Sequence, residues 1–73
     1  MSLVKRSLTL KGHRTSLALE PEFWQVLDET ARSRKASLAS VVDAIDGERP
    51  PEQALSSAVR VWVIRTLRRA ART

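Results

Sequence analysis

The chain has 73 residues, 42% hydrophobic and 29% charged, a balance that suits one globular domain and argues against a disordered tail. It has no cysteine and a single histidine, His13, which excludes a disulfide framework and leaves a structural zinc without a ligand set. The formal net charge is +5, and every acid lies between residues 20 and 53, with only basic charge on either side.

Residues 1–73 read as a single domain. A domain of this size buries only about 60% of the surface its unfolded chain exposes, so a second copy is the expected source of further burial. No apolar run approaches the roughly 20 residues needed to span a bilayer, and residues 1–6 lack the apolar stretch of a signal peptide. A soluble chain of the cytoplasm, without a membrane partner, is expected; the absence of cysteine fits that compartment. The basic ends can attract phosphate by releasing condensed counterions, and they can equally serve as a solvated surface. Which it is depends on the scaffold.

Residues of about 6–10 and 14–19 read as extended. Leu8 and Leu10 alternate with Ser7 and Thr9, and Leu17 and Leu19 alternate with Arg14, Ser16 and Ala18. A period of two sends the leucines to one face and the others to the opposite face. Gly12 is the turn residue, since it accepts positive φ freely. The pattern leaves open whether both strands form a hairpin or only the second is ordered.

A helix over about 21–34 starts at Pro21, whose ring suits the first helical position, with Glu20 and Glu22 at the positive end of the dipole. Phe23, Leu27 and Thr30 or Ala31 follow at helical spacing, with Trp24 and Val26 beside them. Ser37 caps a second helix, over about 37–46, in which Leu38, Val41, Val42 and Ile45 form an apolar stripe. Gly47 and Pro50-Pro51 are expected to end it. The segment of about 53–69 contains the β-branched run Val59, Val61, Val63 and Ile64, yet no breaker interrupts it. Leu55, Val59, Trp62 and Thr66 keep the helical period, so a third helix is expected, buried in a dimer. Arg65, Arg68, Arg69 and Arg72 repeat along it as a basic stripe.

The strand Arg14-x-Ser16-x-Ala18, the helix start Leu19-Glu20-Pro21-Glu22-Phe23-Trp24 and the Ser37-capped helix together resemble the ribbon-helix-helix family. Lys5-Arg6-Ser7-Leu8-Thr9-Leu10, Gly12-His13-Arg14-Thr15-Ser16 and Leu55-Ser56-Ser57-Ala58-Val59-Arg60 resemble a stand-alone bacterial subfamily, so the likeness covers most of the chain. It implies a mostly α fold with a short N-terminal β-strand or hairpin, and an intertwined homodimer whose strands pair into an antiparallel β-ribbon. A lone strand would have no other partner for its backbone groups. The ribbon would enter the major groove of duplex DNA.

Carried onto this chain, the resemblance implies base contacts from Arg14, Ser16 and Ala18. Arg14 would donate to guanine or a phosphate, Ser16 to either base type, and Ala18 would touch a thymine methyl. Phosphate contacts would come from the backbone N–H groups of Ser37 and Leu38 and from Lys35, which with Ala36 stands where relatives commonly have glycine. Lys5, Arg6 and Lys11 would track the phosphate backbone, or form a flexible basic tail. The expected core and dimer interface comprises Leu17, Leu19, Phe23, Trp24, Leu27, Leu38, Val41, Val42, Ile45, Val59 and Trp62.

The implied function is that of a homodimeric DNA-binding regulator, a nucleoid-associated repressor. The alternative is an antitoxin-like or adaptor dimer that engages a protein partner and keeps the fold without sequence-specific DNA binding. Ala18 and the loop over 46–53 are departures from the family pattern that favour this alternative. The arginine stripe suits nucleic acid, an acidic partner or plain solvation. Ser7, Ser16 and Ser37 lack a base and an orienting group beside them, and two glycines cannot build a phosphate loop, so neither catalysis nor a cofactor is expected.

Overall fold

A computed structural model describes residues 2–72. Its first feature is a turn at Lys11-Gly12, where both residues have positive φ, 51° and 81°. That backbone twist matches the right-handed twist of two antiparallel strands, so it closes a tight hairpin. β1 (Val4–Leu10) and β2 (His13–Leu19) pair from Leu10 opposite His13 to Val4 opposite Leu19. The first strand is thus ordered, and it begins two residues before the expected position 6.

This pairing revises the argument from a lone strand. β2 finds its partner in β1 of the same chain, so strand pairing alone does not call for a second copy. Among the described residues the sheet has two strands, and the outer edge of each has no strand neighbour.

Alternation then divides the hairpin. Leu8, Leu10, Leu17 and Leu19 are buried beneath it, whereas Lys5, Ser7, Thr9, Arg14 and Ser16 are exposed above. Three helices cover the leucine face. α1 (Pro21–Arg34) has proline in its first turn, with Glu22 there and Arg32 and Arg34 in its last, and it buries Trp24, Leu27 and Ala31. It ends at Lys35 in the left-handed region, φ 54° and ψ 42°, with the N–H of Ala36 donating to Ala31 O at 2.9 Å and that of Lys35 to Arg32 O at 3.2 Å. Those bonds satisfy the terminal carbonyls in the manner that usually recruits glycine. Lys35 thus adopts the expected turn at a steric cost.

α2 (Leu38–Glu48) is capped by Ser37, whose Oγ accepts from the Ser40 N–H at 3.0 Å. Gly47 does not terminate it, contrary to the expected end at 46. The helix runs through Glu48 and stops at Arg49, which is extended (φ −75°, ψ 145°) because it precedes Pro50. Arg49 donates to Asp46 Oδ1 and to Gln53 O, both at 2.6 Å, and thereby ties the loop to the helix end. α3 (Leu55–Ala71) starts and finishes two residues later than expected and buries Ala58, Val59 and Val63. The β-branched run is helical because the buried residues fall on one helical face against the other elements.

One core joins the four leucines of the hairpin to Trp24, Leu27 and Ala31, to Val41, Val42 and Ile45, and to the buried face of α3. Of the expected core, Phe23, Leu38 and Trp62 are only half-buried and pack at its edge. Leu8, Leu10, Ala31, Ala58 and Val63 belong to it as well. Fully burying a leucine such as Leu19 or Leu27 is worth about 1.5–3 kcal/mol.

Candidate nucleic-acid interface

The register of the hairpin sets Lys5 beside Ala18, Ser7 beside Ser16 and Thr9 beside Arg14 on its exposed face. Residues two apart on a strand share a face, so these six side chains form one continuous surface. It contains no acid. Lys5 and Arg14 supply positive charge, Ser7, Thr9 and Ser16 supply hydroxyls that donate or accept, and Ala18, half-buried, adds a methyl group. The Arg14 guanidinium reaches across the strands to Thr9 Oγ1 at 3.4 Å, a long contact that leaves its other donors facing out. A ribbon of this width fits the roughly 12 Å major groove of duplex DNA.

Of the expected base-reading residues, Arg14, Ser16 and Ala18 all lie on this face, and Lys5 joins them. Ser7 and Thr9 lie there too. Their alternation with Leu8 and Leu10 carried the signal, but it had meaning only once β1 paired with β2. His13 opens β2 opposite Leu10 and is exposed.

The other expected phosphate contacts separate. Arg6 lies on the helix-facing side of the hairpin and is half-buried. Its guanidinium forks onto Asp28 of α1, at 3.0 and 3.1 Å, and lies over the Trp24 ring 4.6 Å from its centroid. The same ring donates from Nε1 to Val4 O at 2.7 Å. Arg6 therefore ties the ribbon to α1, because the period of two puts it on the leucine face; the arginine expected at a phosphate is engaged within the chain. Lys11 sits in the turn, where its Nζ would lie 3.7 Å from a Cβ added at Gly47. That position lies over the last turn of α2, whose dipole favours a cation.

Lys35, Ser37 and Leu38 gather at the corner between α1 and α2, away from the ribbon sequence. Ser37 Oγ is used as the cap, Leu38 is half-buried, and the first turn of α2 holds no acid. On the far side of α1, Glu20 accepts from Arg60 Nε and a terminal nitrogen at 3.0 and 2.9 Å. A hydrogen bond from its own backbone, followed by the Arg60 contact, holds the Glu20 carboxyl below its usual pKa. Arg65, Arg68, Arg69 and Arg72 line the end of α3 with no acid paired to them among the described residues.

Among the described residues no group of His, Cys, Asp and Glu could hold a metal ion, and no helix is long and apolar enough to cross a membrane. Comparison with curated proteins and with solved structures finds no match. The family model described as a ribbon-helix-helix domain matches residues 3–67. That span takes in the whole hairpin with its acid-free face, both following helices and most of α3; the chain belongs to the ribbon-helix-helix family.

Proposed function

We propose that this chain is a homodimeric DNA-binding protein, a transcriptional repressor of the nucleoid, that sets the exposed face of its ribbon into the major groove. The observation that carries the reading is the acid-free surface of Lys5, Ser7, Thr9, Arg14, Ser16 and Ala18. The family supports it, since ribbon-helix-helix proteins are generally DNA-binding regulators or antitoxins, without enzymatic activity, and typically dimerise.

The seam of the dimer is the open edge of β2 together with α3, which packs on β2. An unpaired strand edge is a ready template for a second strand. On α3, Ile64 and Leu67 are 48% and 47% exposed, and burying them against a second copy removes apolar surface from water. Joined along β2, two copies form a four-stranded sheet with β2 and its symmetry mate in the middle. Neighbouring strands stand about 4.8 Å apart, so the middle pair fits within the groove and each β1 lies beside a phosphate wall. Arg14, Ser16 and Ala18 then read bases, and Lys5 meets phosphate. Lys35 and the N–H groups of Ser37 and Leu38 take the flanking phosphates.

Selection of duplexes from a random pool at moderate salt, followed by sequencing, tests the reading. A short inverted repeat is expected, reflecting the two-fold axis. No enrichment, with retention vanishing as salt rises, sinks specific recognition and leaves the adaptor or antitoxin-like alternative.

A further inference from the structure

α2 and α3 enclose a groove of about 640 Å³ that is closed at one side by the end of α1. Its lining is mixed: Val41 and Ile45 from α2 and Ala58 from α3 are almost wholly buried behind it, so Val61 and Trp62 supply its accessible apolar surface. Its rim is basic. Arg34 lies over the Trp62 ring at 5.7 Å, and Arg65 and Arg69 line the groove further along α3. Arg49 also lines it but is committed to Asp46 and Gln53. Among the described residues nothing pairs with Arg65 or Arg69, and Glu48 is the one acid at the groove.

We propose that this groove is the docking site of an acidic amphipathic helix from a partner protein. Val61 and Trp62 receive apolar side chains of such a helix, and the surrounding arginines receive its acidic ones, in the manner of a helix laid in a groove. Arg65 and Arg69 stand four residues apart on α3, about 6 Å along its axis. Carboxylates at i and i+4 on a helix lying along α3 have the same spacing, and each guanidinium can fork onto one of them.

Charge complementarity selects this occupant over the others. A two-fold contact between copies centred here would set these arginines against their own symmetry mates, with only Glu48 to offset them. A nucleic acid would engage the arginines but would gain nothing from covering Val61 and Trp62. Every lining residue belongs to the helices or to the loop between α2 and α3, none to the ribbon. The groove thus shares no residue with the proposed reading face, and the inference stands whether or not the ribbon reads DNA.

The test titrates the intact, isotope-labelled protein with a synthetic helical peptide that carries leucines on one face and glutamates at i and i+4 beside them. A matched peptide with lysine at the glutamate positions is the control. The acidic peptide is expected to shift the amide signals of Val41, Ile45 and Val61 and the Trp62 indole, and to leave Ser7, Arg14 and Ser16 unmoved. The lysine peptide is expected to bind about tenfold or more weakly, and the double variant Arg65→Glu/Arg69→Glu to lose about the same factor for the acidic peptide. Both substitutions are at exposed positions, so the melting temperature and DNA retention of that variant are expected to be unchanged.

Absence of shifts at the groove up to millimolar peptide overturns the proposal, as does equal binding of the two peptides or shifts confined to the ribbon. A double variant that loses DNA as strongly as Arg14→Ala shows a nucleic-acid surface instead. A double variant with a smaller sedimentation coefficient shows that a second copy fills the groove.

Discussion

Arg6 and Arg14 occupy the same small hairpin and have opposite fates. Arg6 falls on the leucine face, forks onto Asp28 and stacks on Trp24. Arg14 falls on the other face and keeps only a 3.4 Å contact with Thr9. In sequence both are basic residues of an N-terminal strand, and composition treats them alike. The two faces differ because one must cover a core and the other has only solvent, so a cation on the first becomes a tether and one on the second stays available. Charge near a strand is evidence for nucleic-acid binding only after the face is known.

The largest effect expected from breaking this comparison is on the covered side. Leu27, fully buried under the ribbon, is expected to cost about 2–5 kcal/mol when truncated in Leu27→Ala, lowering the melting temperature and abolishing DNA retention through unfolding. Calorimetry checks this, and a cost under 1 kcal/mol would show that the core closes around the gap. Arg14→Ala is expected to do the reverse. DNA affinity should fall by about 1–3 kcal/mol with base preference relaxed at one position of each half-site, while the melting temperature stays put. Equal binding by this variant would remove the outer face from the proposal.

Smaller effects sharpen the same contrast. Lys35→Gly should stabilise the fold by about 1 kcal/mol, since glycine adopts the left-handed conformation without the Cβ clash. A destabilised variant would mean that the lysine side chain contributes more than its backbone costs. Arg6→Ala should lose about 0.5–1 kcal/mol of stability, because its ion pair with Asp28 is more than a third exposed and screened. Its salt dependence of DNA binding should match that of the unmodified protein, whereas a shallower slope would restore Arg6 to the phosphate contacts.

The smallest effect concerns pH. The carboxyl of Glu20 titrates below its unfolded value of 4.5. Its contribution is therefore complete above that value and fades as pH falls through the lower folded one. Arg60→Ala should make stability between pH 5 and the folded titration less steep in acid melts; an unchanged profile would put the cause in the backbone hydrogen bond alone.

Much of this was legible in the chain. The bounds of α1 follow from Pro21 and the terminal arginines, and the Ser37 cap places the start of α2. The alternation of Leu17 and Leu19 with Arg14, Ser16 and Ala18 identified half of the outer ribbon face. Gly47 misled because a glycine inside a helix costs only about 1 kcal/mol, so the helix runs on until Arg49, held extended ahead of Pro50, ends it. Ser7 and Thr9 were missed because alternation states which residues share a strand face, not which neighbouring strand lies alongside.

By itself the sequence determined the local elements, since caps, breakers and periodicity act within a few residues of one another. It also determined the family, whose residues at the ribbon and helix starts are contiguous. Only the tertiary structure decided which arginines are spent as tethers and which remain open. Arg6 meets Asp28 across twenty-two positions, Glu20 meets Arg60 across forty, and the α2–α3 groove gathers residues from three helices. Such pairings depend on how packed faces bring distant segments together, and no local pattern carries that information.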